Sequence, residues 1–271
     1  MKVLIYYGAF MLEENNSDEM LKRAAFKLDY GDGIFAYAIY RPIVYLILKK
    51  LRNRRISPNK ITLLAMIFYI LAGTTLIVEY GPEEGVFSLE AIKFLRTIFA
   101  SPAVFGLNVG AYIFLILYNV ALVLDCLDGA VARYFSISNP VGRMLDCFSD
   151  SLGHLVVMVG LILMFPEYAA LIGSVFFLYY ALALTYMSYM FELVKIGKIP
   201  DETIRPLFKI GEFKILVGTL DNFVMAINGI LIVWALNLDL GLYLLAINIF
   251  WGILLLSFTV GVGLARIDVT K

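Results

Sequence analysis

Charged residues are scarce in this 271-residue chain: Asp, Glu, Lys and Arg make up 16% of it, whereas hydrophobic residues make up 61%. With a mean hydropathy of +0.85, the chain is too apolar to be a water-soluble domain, and its composition predicts an integral membrane protein. A basic surplus is missing too, because 22 basic and 22 acidic residues give a formal net charge of zero. This balance argues against a nucleic-acid partner, whose phosphates would require such a surplus.

Cysteine and histidine are nearly missing as well. The two cysteines, Cys126 and Cys147, are too few for a disulfide framework and lie among carboxylates, so we expect reduced thiols near the cytoplasm. Each follows an aspartate by one residue and therefore points away from that aspartate's face of the helix. The single histidine, His154, is expected to pack between helices, with tuning of a nearby carboxylate as the alternative.

Long apolar runs are abundant. A helix that crosses a hydrocarbon core of about 30 Å needs roughly 20 mostly apolar residues. Runs of this kind, separated by turn residues or charges, lie at 60–80, 102–124, 144–165, 167–191, 215–237 and 240–265. The sequence therefore predicts an all-α integral membrane protein with six transmembrane helices.

The segment before the first run is amphipathic. From about residue 34 to residue 51 it carries aromatic and aliphatic side chains, and it ends in a basic cluster of Lys49, Lys50, Arg52, Arg54 and Arg55. This pattern predicts a juxtamembrane helix in the membrane interface, and a helix packed on the transmembrane bundle is the alternative. We expect 1–56 to be a cytoplasmic N-terminal segment without a signal peptide, and 57–271 to be the six-helix membrane domain.

Lysines and arginines predict which side of the membrane each loop faces. With the N-terminus in the cytoplasm, nearly all basic loop residues lie inside, and the opposite loops hold little beyond Lys93 and Arg96. An even number of spans then leaves both termini, and the acidic segment described next, on the cytoplasmic side. The amphipathic stretch 87–100 is expected to cap the outer face.

The most informative segment holds four aspartates. Asp125 and Asp128 are three residues apart, and Asp146 and Asp150 are four apart, so each pair occupies one face of its helix. A polar turn at 136–140 lets two antiparallel helices present the carboxylates to one another. In or near a membrane such carboxylates repel and contribute nothing to packing, so they indicate bound cations. Oxygen ligands favour Mg²⁺ or Mn²⁺ over Zn²⁺.

Small residues and an arginine stand beside the aspartates. Gly129 is followed within one turn by Ala132 and Arg133, so a helix face with little side-chain bulk ends in a guanidinium. Such a face admits a flat ring or a phosphate, and the guanidinium can bind phosphate oxygens in a forked geometry. Gly142 leaves similar room on the facing helix, with close helix packing as the alternative. Arg133 and Arg143 could instead pair with the aspartates, but two arginines cannot balance four acids.

The full pattern resembles the signature of the CDP-alcohol phosphotransferase family, also known as the CDP-alcohol phosphatidyltransferases. Every fixed position is filled, in the order Asp125-x2-Asp128-Gly129-x2-Ala132-Arg133-x8-Gly142-x3-Asp146-x3-Asp150. The start of the first run, Pro58-Asn59-x-x-Thr62, is similar to a Pro-Asn-x-x-Thr found there in the family. The resemblance implies a homodimeric six-helix membrane enzyme that joins the phosphoryl-alcohol part of a CDP-alcohol to a second alcohol and releases CMP.

The resemblance also implies roles for the matched residues. The four aspartates would hold two divalent ions, Mg²⁺ or Mn²⁺, and Asp150 would also be the catalytic base. Nucleotide binding would involve Asn59, Thr62, Asp125, Gly129, Ala132 and Arg133. The chemistry agrees, because two metals can neutralise a diphosphate, and a carboxylate one turn from a ligand is placed to take a hydroxyl proton.

Candidate residues for the acceptor alcohol are Arg143, Arg205, Lys209 and Asp221. Members of the family that use anionic acceptors have basic residues near the loop before the fifth run. The positive-inside rule explains the basic residues without any function, and Asp221 could equally cap a helix. Asp32-Gly33 followed by Arg41-Pro42 resembles the branch of the family that handles inositol phosphates.

Taken together, these expectations describe a phospholipid-synthesis transferase. The favoured arrangement moves a phosphatidyl-type group from a CDP-linked lipid to a small polar alcohol. The first alternative is transfer of a small head group from a CDP-alcohol to a lipid alcohol. A divalent-cation channel or carrier is a second alternative, although it would not need small residues beside its acids and would place acids throughout the bilayer.

Overall fold

The protein is helical throughout almost all of the described chain. The computed structural model describes residues 17–26, 36–84, 89–102, 108–137, 140–181, 208–210, 213–215 and 219–269. Within these ranges, only the backbone is described for 140, 143, 208–210, 213–215, 219–225 and 258–269. The helical architecture that the sequence predicts is confirmed.

The helices are numbered in chain order. They are α1 (17–26), α2 (Arg41–Leu51), α3 (Pro58–Tyr80), α4 (Glu90–Phe99), α5 (Val109–Tyr134), α6 (Pro140–Met164), α7 (169–181), α8 (Thr219–Ala235) and α9 (Leu240–Val269). A π-helical turn, Ala36–Tyr40, leads into α2, and a 3₁₀ turn, Pro166–Tyr168, precedes α7. Strands β1 (Phe208–Ile210) and β2 (Phe213–Ile215) form an antiparallel ribbon in which Lys209 is opposite Lys214.

Among the described residues, four segments are long and apolar enough to cross a membrane. They are Pro58–Tyr80, Val109–Tyr134, Met144–Met164 and Leu240–Ser257, and they match the first, second, third and sixth predicted runs. Their length and composition indicate a multi-pass membrane protein. The apolar stretch in α8, Ala226–Ala235, is shorter, and the end of the fourth predicted run lies outside the described residues.

Helix boundaries differ from the predicted ones around the acidic segment. The second run is predicted at 102–124, whereas α5 begins at Val109 and continues to Tyr134. Hydropathy falls at Asp125, but no proline follows within the helix, so the backbone helix outlasts the apolar run. The fifth run is predicted from residue 215, yet β2 ends there and α8 begins at Thr219. The first aspartate pair therefore follows the predicted run but lies inside α5, which continues beyond it.

The chain divides into two compact units. The first unit comprises 1–68, 118–152 and 206–217, and the second unit comprises 69–117, 153–205 and 218–271. The boundaries fall within α3, α5 and α6, so each of these helices contributes residues to both units. All four predicted metal-binding aspartates belong to the first unit.

In the first unit, α2 and the turn before it pack against α5. The Tyr40 hydroxyl donates to Asn119 Oδ1 at 2.7 Å, and the buried Arg41 guanidinium donates to the carbonyl of Cys126 at 3.1 Å. Another side of the same segment exposes an apolar stripe of Ile39, Ile43 and Leu46. The helix thus combines a packed side, as in the alternative interpretation, with the exposed apolar side expected of an interfacial helix.

In the second unit, α3 and α6 approach each other at glycines. A Cβ added to Gly73 would lie 2.6 Å from the main-chain carbonyl carbon of Val156, and one added to Gly153 would lie 2.5 Å from the Cβ of Tyr69. A larger residue at either place would force the helices apart. These glycines therefore set the distance between α3 and α6, as small residues do between membrane helices.

Polar side chains also join helices in the second unit. Ser174 Oγ donates to Asn248 Oδ1 at 2.6 Å, and Asn248 Nδ2 donates to the carbonyl of Leu171 at 3.1 Å, which links α7 to α9. Such bonds satisfy polar groups that lipid cannot satisfy.

Helix α4 is amphipathic and is tied to the end of α3. The Arg96 guanidinium donates to the carbonyl of Val78 at 3.0 Å and to that of Gly81 at 2.8 Å. Phe94 and Ile98, on the other side of the helix, are exposed. The amphipathic segment expected at 87–100 is therefore a short helix attached to the first span.

Candidate active site

The acidic residues come together where α5 and α6 reverse direction. The chain turns at Ser136, whose φ of 53° is left-handed, and the N–H of Ile137 donates to the carbonyl of Ala132 at 3.0 Å. This pattern closes the end of a helix by satisfying its last carbonyls. Proline at the first position of α6 then starts the returning helix. The two helices thereby place both aspartate pairs in the first unit.

Three of the four aspartates form a compact group. Carboxylate oxygens of Asp125, Asp128 and Asp146 all lie within 4.8 Å of one another, with Asp128 buried and the other two half-buried. Asp150 is outside this group of three, but its side chain hydrogen-bonds with that of Asp125. The structure therefore brings together three predicted ligands and sets the fourth beside them.

Helix α3 contributes a hydroxyl to this group. The buried Thr62 Oγ1 donates to the Asp128 carboxylate and also lies 3.2 Å from the carbonyl of Pro58. Ser149, on α6, donates to the main-chain carbonyl of Thr62 at 3.4 Å. The first turns of α3 are thus bonded to both aspartate-bearing helices. Asn59 lies half-buried in the same first turn.

The small-residue face on α5 is partly covered by Arg133. A Cβ added to Gly129 would lie 3.1 Å from a terminal nitrogen of the Arg133 guanidinium, so the space beside this glycine is shared with the arginine. The Nε of Arg133 donates to the main-chain carbonyl of Ala24, on α1, at 3.1 Å. Ala132 and Gly142 are both half-buried.

The predicted acceptor residues are spread over several elements. Arg143 is in the first turn of α6, Lys209 is in β1, and Asp221 is in the first turn of α8; only the backbone is described at these positions. Arg205 lies outside the described residues. Their participation in a site stays a prediction.

The cysteines and the histidine take no part in the aspartate group. Cys126 is buried and Cys147 is exposed, and both are free thiols. His154 belongs to the second unit, where it is 1% exposed and its ring lies 5.3 Å from the Tyr69 ring and 6.0 Å from the Tyr179 ring. These surroundings agree with the expectation of a histidine that packs between helices.

Two contacts at the site were not anticipated from the sequence. Ser149 follows Asp146 by three residues, so it lies on the same face of α6, and a polar residue there could have been noticed as a site candidate. The Ala24 carbonyl could not have been found in this way, because a main-chain atom leaves no mark in the residue pattern.

The donor set determines what the group can bind. Carboxylates held this close repel one another, and their oxygens are the ligands that hard divalent cations prefer. Thiolates and imidazoles are not part of the described group, which fits Mg²⁺ or Mn²⁺ better than a softer metal. This aspartate cluster could therefore bind a metal ion.

Comparison with known proteins assigns the chain to a family. No curated protein matches it. Residues 55–262 match the CDP-alcohol phosphatidyltransferase family, and this region includes the whole aspartate cluster, Thr62 and Arg133. The match covers well over half of the chain and includes both the acidic cluster and the apolar helices on which the cluster lies. The chain therefore belongs to the CDP-alcohol phosphatidyltransferase family, enzymes that transfer a phosphoryl-alcohol group from a CDP-alcohol and release CMP.

Proposed function

We propose that this enzyme transfers a phosphatidyl-type group from a CDP-linked lipid to a small polar alcohol. The observation that carries this proposal is the cluster of Asp125, Asp128 and Asp146 on helices that are apolar enough to lie in a membrane. A lipid-linked donor can keep its chains in the bilayer while its diphosphate reaches the carboxylates. Transfer of a head group to a lipid alcohol is the alternative within the same family.

Two divalent ions, Mg²⁺ or Mn²⁺, are proposed as cofactors. Asp125, Asp128, Asp146 and Asp150 would hold them, and Thr62 would orient the Asp128 carboxylate through its hydroxyl. Bound ions would neutralise the diphosphate and stabilise the negative charge that develops on the departing CMP.

Asp150 is the proposed catalytic base. Asp150 lies beside the group of three aspartates rather than within it, and its carboxyl group hydrogen-bonds with that of Asp125. One carboxylate oxygen can therefore contribute to the metal site while the other accepts the proton of the acceptor hydroxyl. No residue of the chain needs to form a covalent intermediate with the substrate.

Arg133 is proposed to bind the donor's phosphates, and Asn59, Gly129 and Ala132 to shape the site for its cytidine. A guanidinium that lies over a glycine offers forked donors without a side chain in the way. For the acceptor we propose Arg143, Arg205, Lys209 and Asp221. A positive field at the mouth of an acidic site would draw in an anionic acceptor, such as a phosphorylated alcohol.

The membrane arrangement belongs to the same proposal. We propose that residues 57–271 form six membrane spans. Both termini and the active site would then face the cytoplasm. Residues 1–56 would form a cytoplasmic segment whose helix α2 rests on lipid headgroups. Support comes from the basic residues at the end of α2 and from its exposed apolar stripe. A homodimer is proposed from the family resemblance.

One assay tests the donor, the acceptor and the metal together. The protein in lipid nanodiscs would receive a panel of CDP-alcohols and acceptors with Mg²⁺ or Mn²⁺, and CMP release and the labelled product would be followed. We expect turnover with a CDP-linked lipid and a polar alcohol, and loss of it on chelation with EDTA. Turnover only with a CDP-linked head group and a lipid alcohol would establish the alternative, and activity that survives full chelation would refute the metal site.

A further inference from the structure

Arg133 is held by a helix that lies outside the aspartate-bearing pair. Its Nε donates to the carbonyl of Ala24 at 3.1 Å, and a terminal nitrogen lies where a Cβ on Gly129 would approach to 3.1 Å. The hydrogen bond to α1 holds the guanidinium at Nε, and the distance to the added Cβ shows that a terminal nitrogen lies over the Gly129 face of α5. The hydrogen bond comes from a part of the chain that precedes the family match.

Helix α1 is itself fixed in the first unit. Leu21 and Ala25 are fully buried, and because they are four residues apart they form one buried face of the helix. At the end of the described segment, the Phe26 ring lies 6.0 Å from the ring of Tyr45 on α2. The Ala24 carbonyl therefore belongs to a helix that is packed in the first unit.

A pre-positioned arginine binds phosphate better than a mobile one. Arginine has many rotamers, and ordering them on binding lowers affinity. With Nε bonded to a carbonyl, the forked pair of terminal nitrogens is the part of Arg133 that a phosphate would meet. The contact with α1 orders part of the Arg133 side chain before the donor binds, so less conformational entropy is lost on binding.

We propose that α1 belongs to the donor site, because it positions Arg133 for the diphosphate of the CDP-alcohol through the Ala24 carbonyl. This inference rests on the proposed function, in which Arg133 binds the donor's phosphates. Ala24 is a positioning residue, since its carbonyl contacts the arginine and not the substrate. The N-terminal segment then contributes to donor affinity as well as to the packing of the first unit.

A double-mutant cycle in the full-length protein tests the inference. Leu21→Ala removes buried contacts beneath α1, and Arg133→Ala removes the group on which α1 is proposed to act. We expect Leu21→Ala to raise the donor KM by about fivefold and Arg133→Ala to raise it by about thirtyfold, typical of losing part or all of a charge-assisted contact. In the Arg133→Ala background, Leu21→Ala should cause no further increase. The acceptor KM should stay within about twofold throughout, since only the donor's phosphates are affected.

A second variant and a control distinguish displacement of α1 from a general loss of folding. Ala25→Leu inserts bulk into the same buried face, displaces α1 without removing contacts, and should reproduce the pattern if Leu21→Ala does not fold. Met20→Ala, at an exposed position of α1, should match the wild type. Thermal unfolding of each variant would identify those that fold.

The outcomes separate this inference from the function on which it rests. Equal increases in donor KM with and without Arg133, or a fall in kcat with no change in donor KM, would show that α1 acts only on stability. An unchanged donor KM in Leu21→Ala and Ala25→Leu, with a raised one in Arg133→Ala, would overturn the role of α1 alone. An unchanged donor KM in Arg133→Ala would overturn the assignment of the arginine, and the inference with it, while CMP release would still stand.

Discussion

The same helices are joined in different ways in the two units. In the first unit, hydroxyl and carboxyl groups link them: Thr62 on α3 bonds to Asp128 on α5, and Ser149 on α6 bonds to the backbone of α3. In the second unit, α3 and α6 meet at glycines: Gly73 lies close to the backbone of Val156, and Gly153 lies close to the side chain of Tyr69.

The first unit thus holds the candidate active site, whereas in the second unit these helices mainly pack against each other. Clustered carboxylates repel one another, so neighbouring hydroxyls, and a cation when one is bound, would hold them in place. Close backbone approach gains dispersion energy in a membrane, where apolar side chains gain nothing over lipid. We therefore expect substitutions in the first unit to change activity more than stability, and substitutions in the second unit to do the reverse.

The largest effect is expected for Asp150→Asn. The amide keeps one metal-ligating oxygen but cannot accept the acceptor's proton, so kcat should fall by roughly 100- to 10,000-fold while donor binding is retained. The thermal midpoint should be unchanged or slightly higher, because a repelling charge is removed. CMP-release kinetics, donor titration and thermal unfolding in detergent would measure these three quantities.

Asp239→Asn is the matched control for that change. Asp239 is exposed and its Oδ1 accepts the N–H of Leu242 at 2.9 Å at the start of α9, a role that asparagine fills equally well. Normal turnover is expected. If Asp150→Asn retained wild-type kcat, the base would have to be another group.

A loss of stability of about 2 to 4 kcal/mol is expected for Gly73→Ala, since the new Cβ cannot be accommodated without moving two packed helices. Gly173→Ala and Gly252→Ala are the controls, because a Cβ at either place meets no atom of the described residues within 4 Å. These controls should be neutral or slightly stabilising, as alanine favours helix over glycine. Unfolding in denaturant or by heat would compare the three, and equal losses in all of them would contradict the assignment of Gly73 to the helix contact.

Two threonines allow the units to be compared with the same substitution. Thr62→Val removes the hydroxyl that holds Asp128, and activity should fall by about 10- to 100-fold, as for partners that orient metal ligands. Thr75, in the second unit, donates to the carbonyl of Leu71 in its own helix at 2.8 Å, so Thr75→Val should leave activity nearly unchanged. Both variants should unfold near the wild-type temperature. Similar activity in the two would mean that Asp128 does not depend on Thr62.

The smallest effect is expected for Ser174→Ala. Loss of the bond from Ser174 to Asn248 should cost about 0.6 kcal/mol, a usual value for a hydrogen bond between membrane helices. Activity should be unchanged. A loss above about 2 kcal/mol would place the polar contact, and not the glycines, at the centre of the second unit's stability.

Much of this arrangement could be predicted from the sequence, because the relevant signals are local. The apolar runs predict α3, α5, α6 and α9, and the three- and four-residue spacings predict that each aspartate pair shares a face. The end of α5 was predicted too early, since hydropathy reports exposure to lipid and not the continuity of a helix. The ribbon of 208–210 and 213–215 was also missed, although the same Phe-Lys-Ile sequence occurs in both strands.

Some contacts between distant parts of the chain could not be predicted. The bond from Arg133 to Ala24 joins residues far apart in sequence, and its acceptor is a main-chain oxygen that any residue type would provide. The position of Asp150 beside the other three aspartates depends on how α5 and α6 are rotated about their axes. Residue spacing fixes the face of one helix but not the rotation of two helices relative to each other.

Arg96 has a consequence for the response of the protein to bilayer thickness. Helix α3 has 23 residues and is about 35 Å long, somewhat more than a hydrocarbon core of about 30 Å, so a free helix of this length would tilt. Because Arg96 bonds α4 to the carbonyl of Val78, in the last turn of α3, and to that of Gly81, just after it, any tilt of α3 must carry Phe94 and Ile98 with it. Where those exposed side chains rest on lipid, moving them into water is unfavourable. The attachment of α4 therefore limits how far α3 can tilt in the bilayer.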